Sequence, residues 1–127
     1  MIYGVGQDLV EIRRIERALA RFGERFAKRI LCGPELARFH RHRQPAAYLA
    51  KRFAAKEAFT KALGTGIHAP ANWHGVWVIN LRSGKPQLEF SAELESFLEH
   101  KGIRRTHLSL TDEREIACAT VILECDG

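Results

Sequence analysis

The chain has 127 residues, 46% of them hydrophobic and 28% charged, and carries a formal net charge of +5. That describes one domain with enough apolar material for a core, and it excludes a disordered chain. No apolar run is long enough to span a bilayer and no leader of basic, apolar and small-residue sections opens the chain, so a soluble, non-exported protein is expected, one whose positive charge calls for an acidic partner.

Met1 to Leu9 reads as a short strand, with Ile2, Tyr3, Val5, Leu9 and Val10 as β-favouring residues around Gly4 and Gly6, and it is expected to end at Asp8. An acid in that place suits either the N-cap of the next helix or a metal ligand, and only a partner carboxylate decides between them. From Glu11 the pattern turns helical, with Ile12, Ile15, Leu19, Phe22, Phe26 and Ile30 recurring at three or four residues and Gly23 breaking the run in two. Phe22 and Phe26 fall where core residues belong. Between the apolar positions lie Arg13, Arg14, Arg17, Arg21, Arg25, Lys28 and Arg29, against only Glu11, Glu16 and Glu24, a one-sided basic surface that favours an acidic macromolecule. No aromatic platform or groove-reading motif accompanies these arginines.

Gly33-Pro34-Glu35 starts a short helix, with Pro34 tolerated in the first turn, Glu35 suited to the positive end, and Leu36 and Phe39 as its buried side. His40-Arg41-His42-Arg43 lacks a third metal ligand and reads as a solvated basic end or a phosphate contact, closed by Gln44-Pro45.

Leu49 to Gly66 is the most informative stretch. Ala47, Ala50, Ala54, Ala58 and Ala62 form a stripe of small residues flanked by Leu49, Phe53, Phe59 and Leu63, which lets another backbone come close. The remaining face carries Arg52, Lys56 and Thr60 at i, i+4 and i+8, with Glu57 and Lys61 as a second row beside them. Read alone, these charges also fit a solvated face with ordinary ion pairing. Gly64-Thr65-Gly66 ends the helix and is expected to offer backbone amides, so cations, a hydroxyl and amides together suit phosphate, and a nearby carboxylate suits magnesium.

Ile67 to Gly75 is a loop whose length points to a function or a subunit contact. Val76 to Leu81 and Gln87 to Phe90 form a hairpin around Ser83-Gly84-Lys85-Pro86, and Ser91 caps a helix that Gly102 terminates. Thr106 to Thr111 and Ile116 to Glu124 are two further strands joined by Asp112 to Glu115. Without an internal repeat or linker, residues 1–127 make a single α+β domain with a small antiparallel sheet. Cys32, Cys118 and Cys125 are odd in number and lack metal-ligand spacing, which fits reduced thiols in the cytoplasm.

Gly6-Gln7-Asp8-Leu9-Val10-Glu11, the block Leu49 to Ala58 with its continuation Lys61-Ala62-Leu63-Gly64-Thr65-Gly66, then Gly84-Lys85-Pro86 and His107-Leu108-Ser109-Leu110, run in order over nearly the whole chain. Together they resemble the holo-[acyl-carrier-protein] synthases of the 4′-phosphopantetheinyl transferase superfamily. The resemblance implies transfer of 4′-phosphopantetheine from coenzyme A to a serine of apo acyl carrier protein in fatty acid biosynthesis, with magnesium required and adenosine 3′,5′-bisphosphate released. It implies a homotrimer with sites between subunits, with no nucleic acid or membrane as partner.

Carried onto these positions, the resemblance makes Asp8 and Glu57 the magnesium carboxylates. Arg52, Lys56, Lys61, Gly64, Thr65, Gly66, Pro86, Ser109 and Thr111 become the coenzyme A contacts, and Glu57 and Lys61 the catalytic residues. Arg14, Arg21, Arg25, Phe26 and Arg29 become the carrier-protein docking surface, which would take Phe26 out of the core. Asp112 stands where many family members have histidine, and since an ionised aspartate offers no proton to a phosphate it is left out of that site. The rival reading is a small basic nucleic-acid-binding module, which needs no paired carboxylates.

Overall fold

Alternation along the first strand decides how the molecule is assembled. In the computed structural model, which describes residues 1–126, strand β1 (Ile2–Glu11) turns Gly4, Gly6, Asp8 and Val10 inward and Tyr3, Val5, Gln7 and Leu9 outward. Asp8 therefore lies inside the strand, because β1 runs three residues beyond the expected end. Glu11, not Asp8, precedes helix α1 (Ile12–Phe22), and it makes no side-chain cap. Of the two roles left open for Asp8, the cap is removed.

Gly23, at a φ of 64°, separates α1 from the short α2 (Glu24–Ile30), followed by α3 (Gly33–Arg41) and the 19-residue α4 (Pro45–Leu63). The hairpin β2 (Val76–Asn80) and β3 (Pro86–Phe90), helix α5 (Ala92–His100), and strands β4 (Ile103–Glu113) and β5 (Ile116–Cys125) complete the order. Two antiparallel sheets result, β1-β5-β4 and β2-β3, so the α+β class is the one expected but the strands divide between two sheets instead of sharing one.

Helix α4 lies across the inner face of the larger sheet, where Gly6 pairs with Val121, Asp8 with Ala119 and Val10 with Ala117. The alanine stripe meets the glycines of β1: a Cβ on Gly4 would land on the Ala62 carbonyl, and one on Gly6 on the Ala58 carbonyl and the Ala62 amide. This backbone-to-backbone approach is why small residues occur on both sides of the contact. Leu49, Phe59, Leu94 and Leu123 are fully buried around it, each contributing about 1.5–3 kcal/mol. Gly64, left-handed at a φ of 89°, ends α4.

The outer face of the same sheet is left with Val5 56% and Leu9 66% exposed, beside half-buried Cys118, Thr120 and Ile122. Among the described residues no helix is long and apolar enough to cross a membrane.

Candidate active site

Because Gly4 and Gly6 hold β1 against α4, the next inward residue of the strand, Asp8, arrives beside the following turns of the helix. Lys61 Nζ donates to Asp8 Oδ1 at 3.1 Å and to the Gln7 carbonyl at 3.1 Å. The lysine side chain remains 54% exposed and that of Asp8 15%. Glu57, one turn before Lys61, completes the group. Burial first, and the Asp8 charge second, push the Glu57 carboxyl above the usual carboxylate range, against the opposing influence of Lys61 and Arg14. Asp8, 49 positions away in sequence, is thus close enough for its charge to act on Glu57.

Phe53, Glu57 and Lys61 form the strip of α4 that is half-buried or open, whereas Ala54, Ala55, Lys56, Ala58, Phe59 and Thr60 between them are buried. At the start of this strip the Arg14 guanidinium lies 5.6 Å from the Phe53 ring centroid.

Arg52, Lys56 and Thr60 do not join the site, and their expected role as an open cationic face is corrected by the packing. All three are buried, at 4%, 0% and 0% exposure. Lys56 Nζ is saturated by Glu35 Oε1 at 2.8 Å, the Trp73 carbonyl at 2.7 Å and the Ile30 carbonyl at 2.5 Å. An ammonium with its three protons committed inside the protein has none to give a phosphate. Arg52 lies 4.1 Å from the Tyr48 ring centroid and donates to Asn80 Oδ1 at 2.9 Å, while its Nε has no partner. Burial lowers the proton affinity of its guanidinium. The Thr60 hydroxyl turns back to the Glu57 carbonyl at 3.1 Å.

Gly64, Thr65 and Gly66 begin three residues after Lys61 and are exposed. The Gly64 and Thr65 amides, expected to be free donors, both return to the Thr60 carbonyl, at 2.9 and 3.2 Å. Pro86 opens β3 opposite Asn80, so the hairpin is hydrogen-bonded to α4 through Arg52. Ser109 and Thr111 project from the outer face of β4, paired with Thr120 and Cys118, on the side of the sheet away from Asp8. Asp112 pairs with Lys51 at 3.2 Å.

On the basic surface Arg14, Arg21, Arg25 and Arg29 are all exposed, and Phe22, Arg25, Phe26 and Arg29 line a groove of about 360 Å³. Phe26 is half-buried, packing on the core from the groove floor; Phe22 is 47% exposed with the Arg21 guanidinium 5.1 Å from its ring, so its core assignment is withdrawn.

Glu35 was the residue missed. Its sequence position predicts only an acid at a helix start, and it does fulfil that role, accepting from the Cys32 amide at 3.0 Å. It is also the buried partner of Lys56 and accepts from the Val78 amide at 2.9 Å. The available signal was a lysine in a helix that is apolar on nearly every side, which demands a buried counter-charge.

Magnesium fits the donor set. Asp8 and Glu57 are adjacent hard oxygen donors, the second disfavoured as an anion where it stands. Among the described residues no group of three or more His, Cys, Asp or Glu is assembled. An ion that is content with one or two carboxylates, substrate phosphates and water suits this pair better than one needing a full protein cage.

The family model that describes the 4′-phosphopantetheinyl transferase superfamily matches residues 4–121. The holo-[acyl-carrier-protein] synthase of Nitrosospira multiformis is 51% identical over 124 residues, covering 98% of this chain and 99% of its own. Among solved structures, the holo-[acyl-carrier-protein] synthase of Neisseria meningitidis superposes with a TM-score of 0.95 at 44% identity, covering 98% of this chain and 99% of its own. That of Bacillus anthracis, in complex with CoA (3′,5′-ADP), superposes with a TM-score of 0.84 at 35% identity, covering 99% of each chain.

Proposed function

This chain belongs to the 4′-phosphopantetheinyl transferase superfamily, and from that premise we propose that it moves 4′-phosphopantetheine from coenzyme A to a serine of apo acyl carrier protein. It is an enzyme, a holo-[acyl-carrier-protein] synthase, serving fatty acid biosynthesis. The single observation that supports the chemistry is the meeting of Asp8 and Glu57 under Lys61. The reading as a nucleic-acid-binding module has no support from the family or from this paired-acid site.

Asp8 and Glu57 would hold the magnesium ion. When bound, the ion supplies Lewis-acid stabilisation of the charge that gathers on the departing bisphosphate. Lys61, its side chain 54% exposed, is a cation able to reach a phosphate: its amine would exchange Asp8 for the substrate anion, with the magnesium ion taking over the largely buried Asp8 charge. Glu57, beside Asp8 and Lys61 on the half-buried strip of α4, is the group assigned to take the serine proton, directly or through a metal-held water. Arg14, Arg21, Arg25 and Arg29 around the Phe22–Phe26 groove receive the acidic carrier protein.

A homotrimer accounts for the open face of the larger sheet. Tyr3, Val5 and Leu9 beside Ile122 form an apolar row of the kind copies bury against one another. Ser109 and Thr111 share that face, so their hydroxyls would serve a neighbouring subunit's coenzyme A rather than their own. Gly64 to Gly66 and Pro86 complete the contacts assigned to the cofactor. The three free thiols fit a cytoplasmic enzyme.

The test is a mass measurement. Apo carrier protein incubated with the enzyme, coenzyme A and magnesium should gain one phosphopantetheine. Asp8→Ala and Glu57→Ala should each slow this by about 10²–10³-fold, as loss of a preorganised electrostatic group does, while circular dichroism shows an unchanged fold. Wild-type rates in either variant would refute the site.

A further inference from the structure

We propose that Lys56 is a positioning residue of the transfer reaction, whose buried ammonium fastens α2, the part of the docking surface that carries Arg25, Phe26 and Arg29, to the helix that bears Glu57. The inference rests on the transferase reading above. Neighbours on α4 lie about 100° apart around the axis, so Lys56 points into the protein while Glu57 faces Asp8.

The end that Lys56 grips needs a grip. Helix α2 has only seven residues and follows Gly23, whose φ of 64° sets it off from α1. So short a helix does not hold itself in place, and its last carbonyls have no intrahelical donors. Two side chains supply them: Lys56 Nζ donates to the Ile30 carbonyl, and His74 Nε2 meets the Lys28 carbonyl at 2.7 Å. The same ammonium donates to the carbonyl of Trp73, whose ring lies 5.1 Å from Phe53, the ring beside Arg14. Glu35 neutralises the charge and ties it on to α3 and β2. One buried atom therefore joins α2, α3, the loop of residues 67–75 and α4. Arg25, Phe26 and Arg29 sit on the fastened helix and Glu57 on the fastening one, so the bond sets the distance between the docking groove and the reacting groups.

Cutting this bond should leave each ligand its own surface but spoil their alignment. In Lys56→Met, kcat is expected to fall about 100-fold, the effect of misplacing reacting groups by about 1 Å. The KM for carrier protein and the calorimetric affinity for coenzyme A with magnesium should stay as in the wild type. Amide hydrogen exchange should quicken more in residues 24–30 than in β1 or α4, which share only the global loss of stability. Should Lys56→Met fail to fold because Glu35 is left unpaired, Glu35→Met/Lys56→Met removes both charges, a replacement that buried pairs commonly tolerate, and the same kinetic pattern is expected.

An unchanged kcat in a folded variant overturns the proposal, and so does a parallel loss of coenzyme A affinity, which would make Lys56 a cofactor ligand. Failure of the double variant to fold overturns it too, since the pair would then belong to the fold as a whole. If the wild-type protein transfers no phosphopantetheine, it is the functional reading that fails, and the exchange data on α2 still report separately on the fastening.

Discussion

Two rows of side chains on α4 carry almost the same chemistry to opposite ends. Arg52, Lys56 and Thr60 run along one row, Phe53, Glu57 and Lys61 along the next. The first row finds its partners inside the chain: Asn80 for the guanidinium, Glu35 and two carbonyls for the ammonium, the Glu57 carbonyl for the hydroxyl. The second row faces Asp8 and solvent with its demands only partly met, a lysine shared between an acid and a carbonyl and a glutamate disfavoured as an anion. A charge committed inside the protein holds the fold. One left short of partners is available to a ligand.

The contrast is broken most forcefully by truncating the two lysines in turn. Lys56→Ala strands a buried Glu35 and should cost about 3–5 kcal/mol of stability, a large part of the roughly 5–15 kcal/mol a domain possesses. Lys61→Ala, at an exposed pair, should cost no more than about 1 kcal/mol while strongly impairing transfer. Urea midpoints and transfer rates measured side by side check both halves. Similar stability losses in the two variants would erase the distinction between the rows.

Next in size is a substitution on the strand that brings Asp8 to the open row. Gly6→Ala drives a methyl group into the Ala58 carbonyl and Ala62 amide and should destabilise by about 1–3 kcal/mol, the usual cost of overpacking. It should also slow transfer, because β1 must lift away from α4 and take Asp8 with it. Gly33→Ala is the control, since a Cβ there meets nothing. If Gly6→Ala melts like the wild type, the glycines do not set the spacing of the acids.

How much of this was legible beforehand follows the same division. The alanine stripe and the two glycines are local patterns and marked a close backbone contact, whereas the pairing of Asp8 with Glu57 came only from the resemblance, since an acid in that place suits a helix cap as well. The elements were also legible in order, with misjudged ends: β1 continues to Glu11 because pairing with β5 carries it there, a tertiary effect with no local mark. What spacing does not encode is which row of a helix is covered. Lys56 and Lys61 are both lysines beside alanines, and only the arrival of Glu35 from α3 makes one of them structural. Phe22 was misplaced for the related reason that Gly23 lets α2 turn away and leaves the end of α1 uncovered.

The smallest expected effect probes the open row from within. Folding raises the proton affinity of Glu57, through burial and then through Asp8. At pH values well below the ordinary glutamate value of about 4.3 the carboxyl is protonated in both native and unfolded states and influences neither. As pH rises past that value the unfolded chain releases its proton more readily than the native one. Above the raised native value the native state carries an ionised carboxylate in an unfavourable place, so stability declines across this interval. Glu57→Gln removes the charge. Without metal, the variant should therefore melt above the wild type at neutral pH, and the two should converge in acid. Adding magnesium should reverse the order at neutral pH, because binding to the native state stabilises only the protein that retains both carboxylates. A variant less stable than the wild type at neutral pH without metal would mean that Lys61 and Arg14 already satisfy Glu57. That would move it into the company of Lys56, among the charges that hold the fold.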